Sequence, residues 1–263
     1  MKIIDFHTHV FPDKIAEKTI TKLAVVCNET PYTNGMESGL RASTAEAGIS
    51  TSIVLPVVTA PSQFESIHRF ALRFLEGELL SFGGIHPEDE HYKERLRWIK
   101  SEGFKGIKLH PDYQGVYFND IRYKRIVSCA TELDLIVSVH AGLDPLCPND
   151  IHCTPQMSLE VIKEVAPTKL VLAHMGANTL YDEVEHYLIG QDVYLDTSYV
   201  LDKMEKEQFY RMIKNHGEDK VLFATDSPWG GQKEFVDYFM NLELPQITKE
   251  QILYKNAERL IYE

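Results

Sequence analysis

The segment LIVSVHAG, residues 135–142, has the pattern of a buried strand that stops at a polar side chain. A short run rich in β-branched residues, bounded by His140 and Gly142, is typical of a strand in a parallel sheet, where both faces are covered. Seven further runs of this kind occur along the chain at intervals that leave room for a helix. The eight predicted strands cover residues 2–7, 51–57, 80–85, 104–110, 135–140, 169–174, 193–197 and 220–225.

Amphipathic segments with helical spacing separate these strands and cover residues 14–26, 63–76, 88–100, 120–133, 156–165, 179–189, 203–216 and 232–241, followed by a last helix at 248–262. Strands that alternate with helices predict parallel pairing, either in an open doubly wound sheet or in a closed barrel. Eight units favour the barrel, because closure removes both exposed sheet edges. We therefore predict one α/β domain over residues 1–263, a (β/α)8 TIM barrel with an extra C-terminal helix. The Gly-, Asn- and Pro-containing segment 27–39 is predicted as a long loop.

The charge and cysteine content limit the classes of partner. A net charge of -12, from 27 Lys and Arg against 39 Asp and Glu, disfavours binding to nucleic acid, which draws its affinity from clustered cations. Apolar stretches fall short of the ~20 residues that span a bilayer, and the first residues lack the pattern of a signal peptide. The four cysteines form no Cys-x-x-Cys pair and are predicted to be reduced thiols. We expect a cytoplasmic protein that contacts neither membrane nor nucleic acid.

Polar side chains of metal-ligating type stand at the ends of the predicted strands. In a barrel these ends meet on one face, where the functional groups lie. A divalent ion accounts for such a gathering of imidazoles and carboxylates, since it binds both and leaves a position for water. The residues concerned are His7, His9, His86, Lys108, His110, His140, His174, Asp196 and Asp226.

In combination, the motifs DFHTHVFP, GFKGIKLHP, VSVHAG, LVLAHMG, FATDSPWG and ILYKNAERL resemble the amidohydrolase superfamily, and specifically its amidohydrolase-2 branch of metal-dependent hydrolases and decarboxylases. The resemblance extends from the first residues to the last helix and implies a distorted (β/α)8 barrel. It implies that one divalent metal, usually zinc, is bound by His7, His9, His140 and Asp226. It also implies that His174 holds or deprotonates the attacking water, a task shared with Asp226.

The end of the fourth strand leaves the number of metal ions open. Binuclear members of the superfamily bridge two metals there with a carboxylated lysine or a glutamate, and this chain has Lys108 followed by His110. These two residues are therefore candidates for a second metal or for substrate. The alternative for Lys108 is an ion pair with Asp5 or Asp226. Asp5 itself is predicted to orient a ligand histidine.

Four further residues are candidates to contact substrate: His86, His152, Asp196 and Ser198. For His86 and His110, each of which precedes a proline, the alternative is a structural role in the turn after a strand. For His152, which lies in a polar loop, the alternative is an exposed surface position.

The leading functional hypothesis is a hydrolase that uses a metal-activated water on a small organic substrate, an ester, lactone, amide or cyclic imide. The alternative is a metal-dependent decarboxylase or hydratase acting on an aromatic or dicarboxylic acid. A deoxyribonuclease-like enzyme and a non-catalytic metal-binding barrel are less favoured. The sequence leaves open the substrate, the physiological metal and whether the chain forms a homodimer.

Overall fold

The structure, a computed structural model, describes residues 2–263. Its strands are β1 (Ile4–Thr8), β2 (Thr51–Val54), β3 (Leu79–Ser81), β4 (Gly83–Gly84), β5 (Gly106–Leu109), β6 (Ile136–Val139), β7 (Leu170–Leu172), β8 (Tyr194–Asp196) and β9 (Val221–Leu222). Its helices are α1 (Asp13–Cys27), α2 (Glu37–Glu46), α3 (Phe64–Ala71), α4 (Tyr92–Ser101), α5 (Pro111–Gln114), α6 (Ile121–Glu132), α7 (Pro155–Val165), α8 (Tyr181–Tyr187), α9 (Lys206–His216), α10 (Gln232–Met240), α11 (Gln246–Glu250) and α12 (Asn256–Tyr262). A π-helical turn, Gln251–Lys255, joins the last two helices.

The chain divides into two compact units, which are described separately. The first comprises the residues up to Leu55 together with Glu76–Leu80 and Asp196–Glu263. The second comprises Pro56–Leu75 and Ser81–Leu195. The single domain over residues 1–263 stays a prediction.

In the first unit, β1 is fully buried and lies between two neighbouring segments. It pairs in parallel with β2, with Ile4 opposite Thr51. On its other side the Phe6 amide donates to the Phe223 carbonyl at 2.9 Å, and Thr8 forms a parallel bridge with Ser227. Because both of its edges are hydrogen-bonded and both of its faces are covered, β1 is built from a continuous buried run rather than an alternating one.

In the second unit, the strands from β4 to β8 form one parallel sheet in chain order. The register places Leu109 of β5 opposite Val139 of β6, and Val139 opposite Leu172 of β7. The strands β5, β6 and β7 each end within two residues of a histidine, so the parallel register brings His110 and His140 to the same edge of the sheet.

One glutamine fixes the positions of three loops at this edge. The Gln114 Nε2 donates to the carbonyls of Val58 and Ile85 at 2.8 and 2.7 Å. Its Oε1 accepts from the His110 amide at 3.0 Å and from the Tyr123 hydroxyl at 2.7 Å. All four bonds are buried, so the hydrogen-bonding capacity of this side chain is fully used in holding the frame around His110.

The predicted strands and helices are found in the predicted order. The short helix α5 was not predicted, the predicted helix 248–262 is divided by the π-helical turn, and two further differences follow. The segment 27–39 is not loop throughout, because α2 begins at Glu37. This helix was missed because its apolar stripe is short, since ESGLRASTAE buries only Leu40 and Thr44. The third predicted strand is divided at Phe82 into β3 and β4.

Two findings bear on the environment of the protein. Over residues 2–263, none of the helices combines the length and the apolar character needed to cross a bilayer. The four cysteines, Cys27, Cys129, Cys147 and Cys153, are free thiols, as predicted.

Candidate metal centre and a second polar cluster

Three predicted metal ligands of the first unit meet at the end of β1. The His9 amide donates to the Ser227 carbonyl at 2.7 Å, and the Asp226 amide donates to the His7 carbonyl at 2.9 Å. Asp226 has a φ of 68°, in the left-handed region that non-glycine residues rarely adopt. This turn directs the Asp226 carboxylate back toward the two histidines.

The ligand atoms of these three residues lie within hydrogen-bonding distance of one another. The Nε2 atoms of His7 and His9 are 3.1 Å apart. The Asp226 Oδ1 is 3.3 Å from the His7 Nε2 and 3.2 Å from the His9 Nε2. The His7 side chain is only 1% exposed, whereas those of His9 and Asp226 are 16% and 12% exposed, so the cluster is open on one side.

The other ring nitrogen of each histidine has a hydrogen-bond acceptor, which determines where the proton lies. The His9 Nδ1 is 2.8 Å from the carbonyl of Leu55, which can only accept, so this nitrogen carries the proton. The His7 Nδ1 is 3.0 Å from Asp196 Oδ2 and likewise donates. In the neutral rings both Nε2 atoms therefore present lone pairs to each other and to the Asp226 carboxylate. A divalent cation fits this set of three facing donor atoms, and acceptors behind both imidazoles are typical of metal-ligating histidines.

Asp196 and Ser198 lie behind His7. The Asp196 Oδ1 accepts from the Ser198 amide at 3.0 Å and from its hydroxyl, and the Ser198 Oγ is also 3.0 Å from the His7 Nδ1. Both residues are predicted to contact substrate, and this stays a prediction. In the structure their hydrogen bonds orient the His7 ring.

Asp5 supports the same strand end through the backbone. Its carboxylate accepts from the His7 amide at 3.2 Å, from the Thr225 amide and hydroxyl at 3.0 and 2.6 Å, and from the Gln232 amide group at 2.8 Å. Complete burial raises the pKa of Asp5 to about 7, although these four bonds act in the opposite direction. Asp5 therefore positions the His7 backbone, which agrees with its predicted supporting role.

The second unit has its own cluster of imidazoles and carboxylates. The rings of His110 and His140 are stacked, with centroids 4.1 Å apart. The Asp144 Oδ2 is 3.6 Å from the His110 Nε2 and 3.8 Å from the His140 Nε2. The Asp112 Oδ2 is also 3.8 Å from the His140 Nε2. All four side chains are buried.

His174, the predicted water-holding base, contacts His140. Its Nε2 is 2.9 Å from the His140 Nδ1, and its backbone has a φ of 60°, again in the left-handed region. The hydrogen bond orients the His140 ring. The catalytic role of His174 stays a prediction, as does the assignment of His140 as a metal ligand.

The remaining predicted residues have the following surroundings. The His86 Nδ1 accepts from the Glu88 amide at 3.2 Å, a turn contact of the structural kind, and burial lowers its pKa. His152 is not an exposed loop residue, because its Nδ1 donates to Asp112 Oδ1 at 3.1 Å. Lys108 is buried within β5, opposite Ser138, and its predicted roles stay predictions.

Asp112 and Asp144 are polar site residues that the sequence did not single out. Burial raises the pKa of Asp112. The available signal was spacing, since Asp112 follows His110 by two residues and Asp144 follows His140 by four. Acidic residues are ordinarily solvent-exposed, so spacing alone did not distinguish these two.

Comparison with known proteins agrees with the parallel α/β architecture. The profile of the family described as Amidohydrolase matches residues 4–261. No curated protein sequence matches the chain. Among solved structures, the uncharacterized TIM-barrel protein Bb4693 from Bordetella bronchiseptica is similar with a TM-score of 0.79 at 18% identity, over 99% of this chain and 98% of that chain. The predicted (β/α)8 TIM-barrel fold is thereby confirmed.

Two similar structures are decarboxylases. The 5-carboxyvanillate decarboxylase LigW from Sphingomonas paucimobilis has a TM-score of 0.72 at 12% identity, over 99% of this chain and 98% of that chain. The dihydroxybenzoic acid decarboxylase from Polaromonas was solved with bound manganese and the inhibitor 2-nitroresorcinol. Its TM-score is 0.71 at 17% identity, over 99% of this chain and 96% of that chain. From the profile match over nearly its whole length, together with this fold, the chain belongs to the amidohydrolase family of enzymes.

Proposed function

We propose that this protein is a metal-dependent decarboxylase of hydroxylated aromatic acids. The observation that carries the metal dependence is the meeting of three proton-free donor atoms, the Nε2 atoms of His7 and His9 and the Oδ1 of Asp226. Decarboxylation is favoured over hydrolysis by the similarity to the two decarboxylases. This reverses the order of the sequence-based hypotheses, in which hydrolysis led.

The proposed ion is held by His7, His9 and Asp226, with His140 proposed as a fourth ligand on the family resemblance. Imidazole and carboxylate donors suit manganese as well as zinc. The manganese in the Polaromonas enzyme supports manganese here, while zinc is the ion that the sequence predicts. Asp196 and Ser198 serve this site by holding the His7 ring with its Nε2 toward the ion.

In decarboxylation, a bound divalent ion would neutralise negative charge on the substrate while carbon dioxide leaves. The protein must then deliver a proton to the carbon that loses it. We propose that the Asp226 carboxylate relays this proton from bulk water to the carbon, because its side chain is 12% exposed and can take up a proton from solvent. His174 contributes by orienting the His140 ring through their hydrogen bond.

Hydrolysis of an ester, lactone, amide or cyclic imide is the second candidate. It is favoured by the ligand set itself, because two histidines and a carboxylate on an ion leave a position for a water molecule. In that reaction Asp226 would accept the proton of the attacking water. The formal charge of -12 argues against the nuclease alternative.

The experiment that tests the proposal uses protein stripped of metal and reloaded with manganese or zinc. It is assayed for carbon dioxide release from 2,6-dihydroxybenzoate and 5-carboxyvanillate, and for acid release from a set of lactones, esters and amides. We expect metal-dependent carbon dioxide release that is lost in His9→Gln and kept in His186→Gln, a change at an exposed histidine of α8. Metal-dependent acid release without carbon dioxide would establish the second candidate instead. Failure to retain any metal would contradict both.

A further inference from the structure

Three residues with different metal-ligating groups meet beside α5 in the second unit. Asp112 belongs to α5, whereas Cys147 and His152 belong to the loop between β6 and α7. One donor atom from each residue, a carboxylate oxygen, a sulfur and a ring nitrogen, lies within 4.8 Å of the other two. Carboxylate, thiolate and imidazole are the three kinds of ligand that zinc takes in proteins.

Asp112 is the most firmly held member of this group. Its side chain is completely buried, and its Oδ1 accepts from the backbone amide of His152 at 3.2 Å and from the His152 Nδ1 at 3.1 Å. Within residues 2–263 its Oδ2 has no hydrogen-bond partner. A buried carboxylate oxygen left in this state is costly, so this atom indicates a bound group, either a hydrogen-bond donor or a cation.

Cys147 favours a cation over a hydrogen-bond donor. Its Sγ lies 3.9 Å from the backbone carbonyl oxygen of Asp112, so the thiol is turned toward α5. The negative charges of Asp112, Asp144 and Asp150 all act on this thiol. They disfavour a free thiolate, the form that a nucleophilic cysteine needs, whereas a divalent cation is attracted by the carboxylates and stabilises the thiolate. A hydroxyl group accounts for the Asp112 oxygen alone, but a cation accounts for the carboxylate, the imidazole and the thiol together.

The spacing of the donor atoms fits zinc. With ligand bonds of about 2.0 Å, neighbouring ligands of a tetrahedral ion are about 3.3 Å apart, close to the 3.1 Å between Asp112 Oδ1 and His152 Nδ1. An ion bound there replaces the proton that this nitrogen donates. The neutral ring then carries its proton on Nε2, which lies 3.8 Å from the Asp150 Oδ2. A carboxylate behind the ring is typical of a metal-ligating histidine.

We propose that Asp112, Cys147 and His152 form a zinc site separate from the candidate metal centre at the end of β1. The sulfur ligand selects zinc against manganese, which prefers oxygen ligands. None of the residues 145–150 is buried, so this part of the loop has little packing of its own. The bound ion fastens the loop to α5, which is a structural role. The proposal does not depend on the reaction that the protein catalyses.

Cobalt substitution detects the sulfur ligand directly. A thiolate bound to cobalt(II) gives an intense charge-transfer absorption in the near ultraviolet, which imidazole and carboxylate ligands do not give. Metal-free protein is titrated with cobalt(II) in the absence of oxygen. We expect this absorption in the wild type and its loss in Cys147→Ser. It should be kept in Cys27→Ser, the matched control at a half-buried thiol of the first unit, and in His9→Gln, which disrupts the centre at the end of β1.

Zinc binding to the same variants gives the stoichiometry. The zinc-loaded wild type should hold one equivalent more than Cys147→Ser. His152→Gln is the second variant, in case the first fails to fold, and should weaken zinc binding at this site at least about 10-fold in competition with a chelator.

Two results would overturn the proposal. If the wild type shows no thiolate absorption, or if Cys147→Ser keeps it, the contact between Asp112 and His152 is a hydrogen bond only. If His9→Gln loses the absorption, the sulfur belongs to the centre at the end of β1 and the site is not separate. Because the absorption is read without turnover, neither result depends on whether the protein releases carbon dioxide.

Discussion

The Asp196 Oδ2 lies 3.0 Å from the His7 Nδ1, and both side chains are almost completely buried. The carboxylate determines which His7 nitrogen keeps the proton and holds the ring with its Nε2 toward His9 and Asp226. It does this without reaching the cluster of ligand atoms itself. Metal affinity is therefore expected to depend on a residue that does not contact the ion.

Asp196→Asn preserves the shape of this side chain and removes its charge. We expect the affinity for manganese or zinc to fall about 10- to 100-fold, because the neutral amide is a weaker acceptor for the His7 Nδ1. Competition with a chelator measures this affinity, and the exposed Asp202→Asn serves as the control. A metal affinity equal to that of the wild type would mean that His7 is oriented by other contacts.

His68 makes stability depend on pH. Its Nδ1 donates to the Phe64 carbonyl at 2.8 Å, and its Nε2 accepts from the Gly84 amide at 3.2 Å. Burial lowers its pKa from 6.5 to about 4. At pH values between about 4 and 6.5, His68 takes up a proton in the unfolded chain but not in the folded chain. The free energy of unfolding should thus fall as the pH drops through this window, by up to about 3 kcal/mol once the pH has reached the folded-state pKa of about 4.

Urea unfolding at pH 7 and pH 4.5 measures the His68 effect. The difference between the two pH values should be smaller in His68→Gln, which has no titrating ring, and unchanged in His91→Gln, at an exposed histidine. If His68→Gln and the wild type lose the same stability, His68 does not contribute to the acid sensitivity.

Gln114→Glu tests the frame around His110. In the wild type, the carbonyls of Val58 and Ile85 each accept a hydrogen bond from the Gln114 Nε2. The change places an oxygen, which cannot donate, against both carbonyls. We expect the free energy of unfolding to fall by about 3 kcal/mol or more at pH 7, because two buried carbonyls lose their hydrogen-bond donor and face a negative charge. This environment raises the pKa of the new carboxyl group above its unfolded value, so part of the loss should be recovered as the pH falls toward 5.

The control for this variant is Gln156→Glu, which makes the same chemical change at an exposed position. Both are compared by urea unfolding. Equal stability of the two variants at pH 7 would show that the four hydrogen bonds of Gln114 are dispensable.

Gly142 permits a close approach of two loops in the second unit. A Cβ added there would lie 2.1 Å from the Asn178 amide nitrogen, and the residue has a φ of +85°. Gly190 has a similar φ of +82° with open space around it. Gly190→Ala should therefore lower the free energy of unfolding by about 1 kcal/mol, because only the backbone conformation is affected. Gly142→Ala should lower it by at least about 2 kcal/mol more, because the added Cβ also clashes with Asn178. Comparable unfolding free energies for the two variants would contradict this account.

Most of the strands were predictable because they are short, largely apolar runs buried on both faces, as β6 and β7 illustrate. The convergence of His7, His9 and Asp226 followed from the expectation that parallel strands end on one side. The helix α2 was not predictable, because only Leu40 and Thr44 are buried and the segment lacks a clear apolar stripe.

The second cluster was only partly accessible from the sequence. His110 and His140 were identified, but the membership of Asp112 and Asp144 in this cluster depends on their burial. That burial arises from contacts between segments that are distant in sequence, such as that between Asp112 and His152. Similarly, the pairing of His174 with His140 requires the register of β6 and β7.

His174 and Asp226 both occupy left-handed backbone, with φ values of 60° and 68°. For residues with a side chain this conformation costs roughly 1–2 kcal/mol, a cost that glycine avoids. At both positions glycine would avoid this backbone cost but would remove a side chain that the proposed function uses. If the proposal holds, selection for activity therefore maintains at 174 and 226 a backbone conformation that selection for stability alone would not favour.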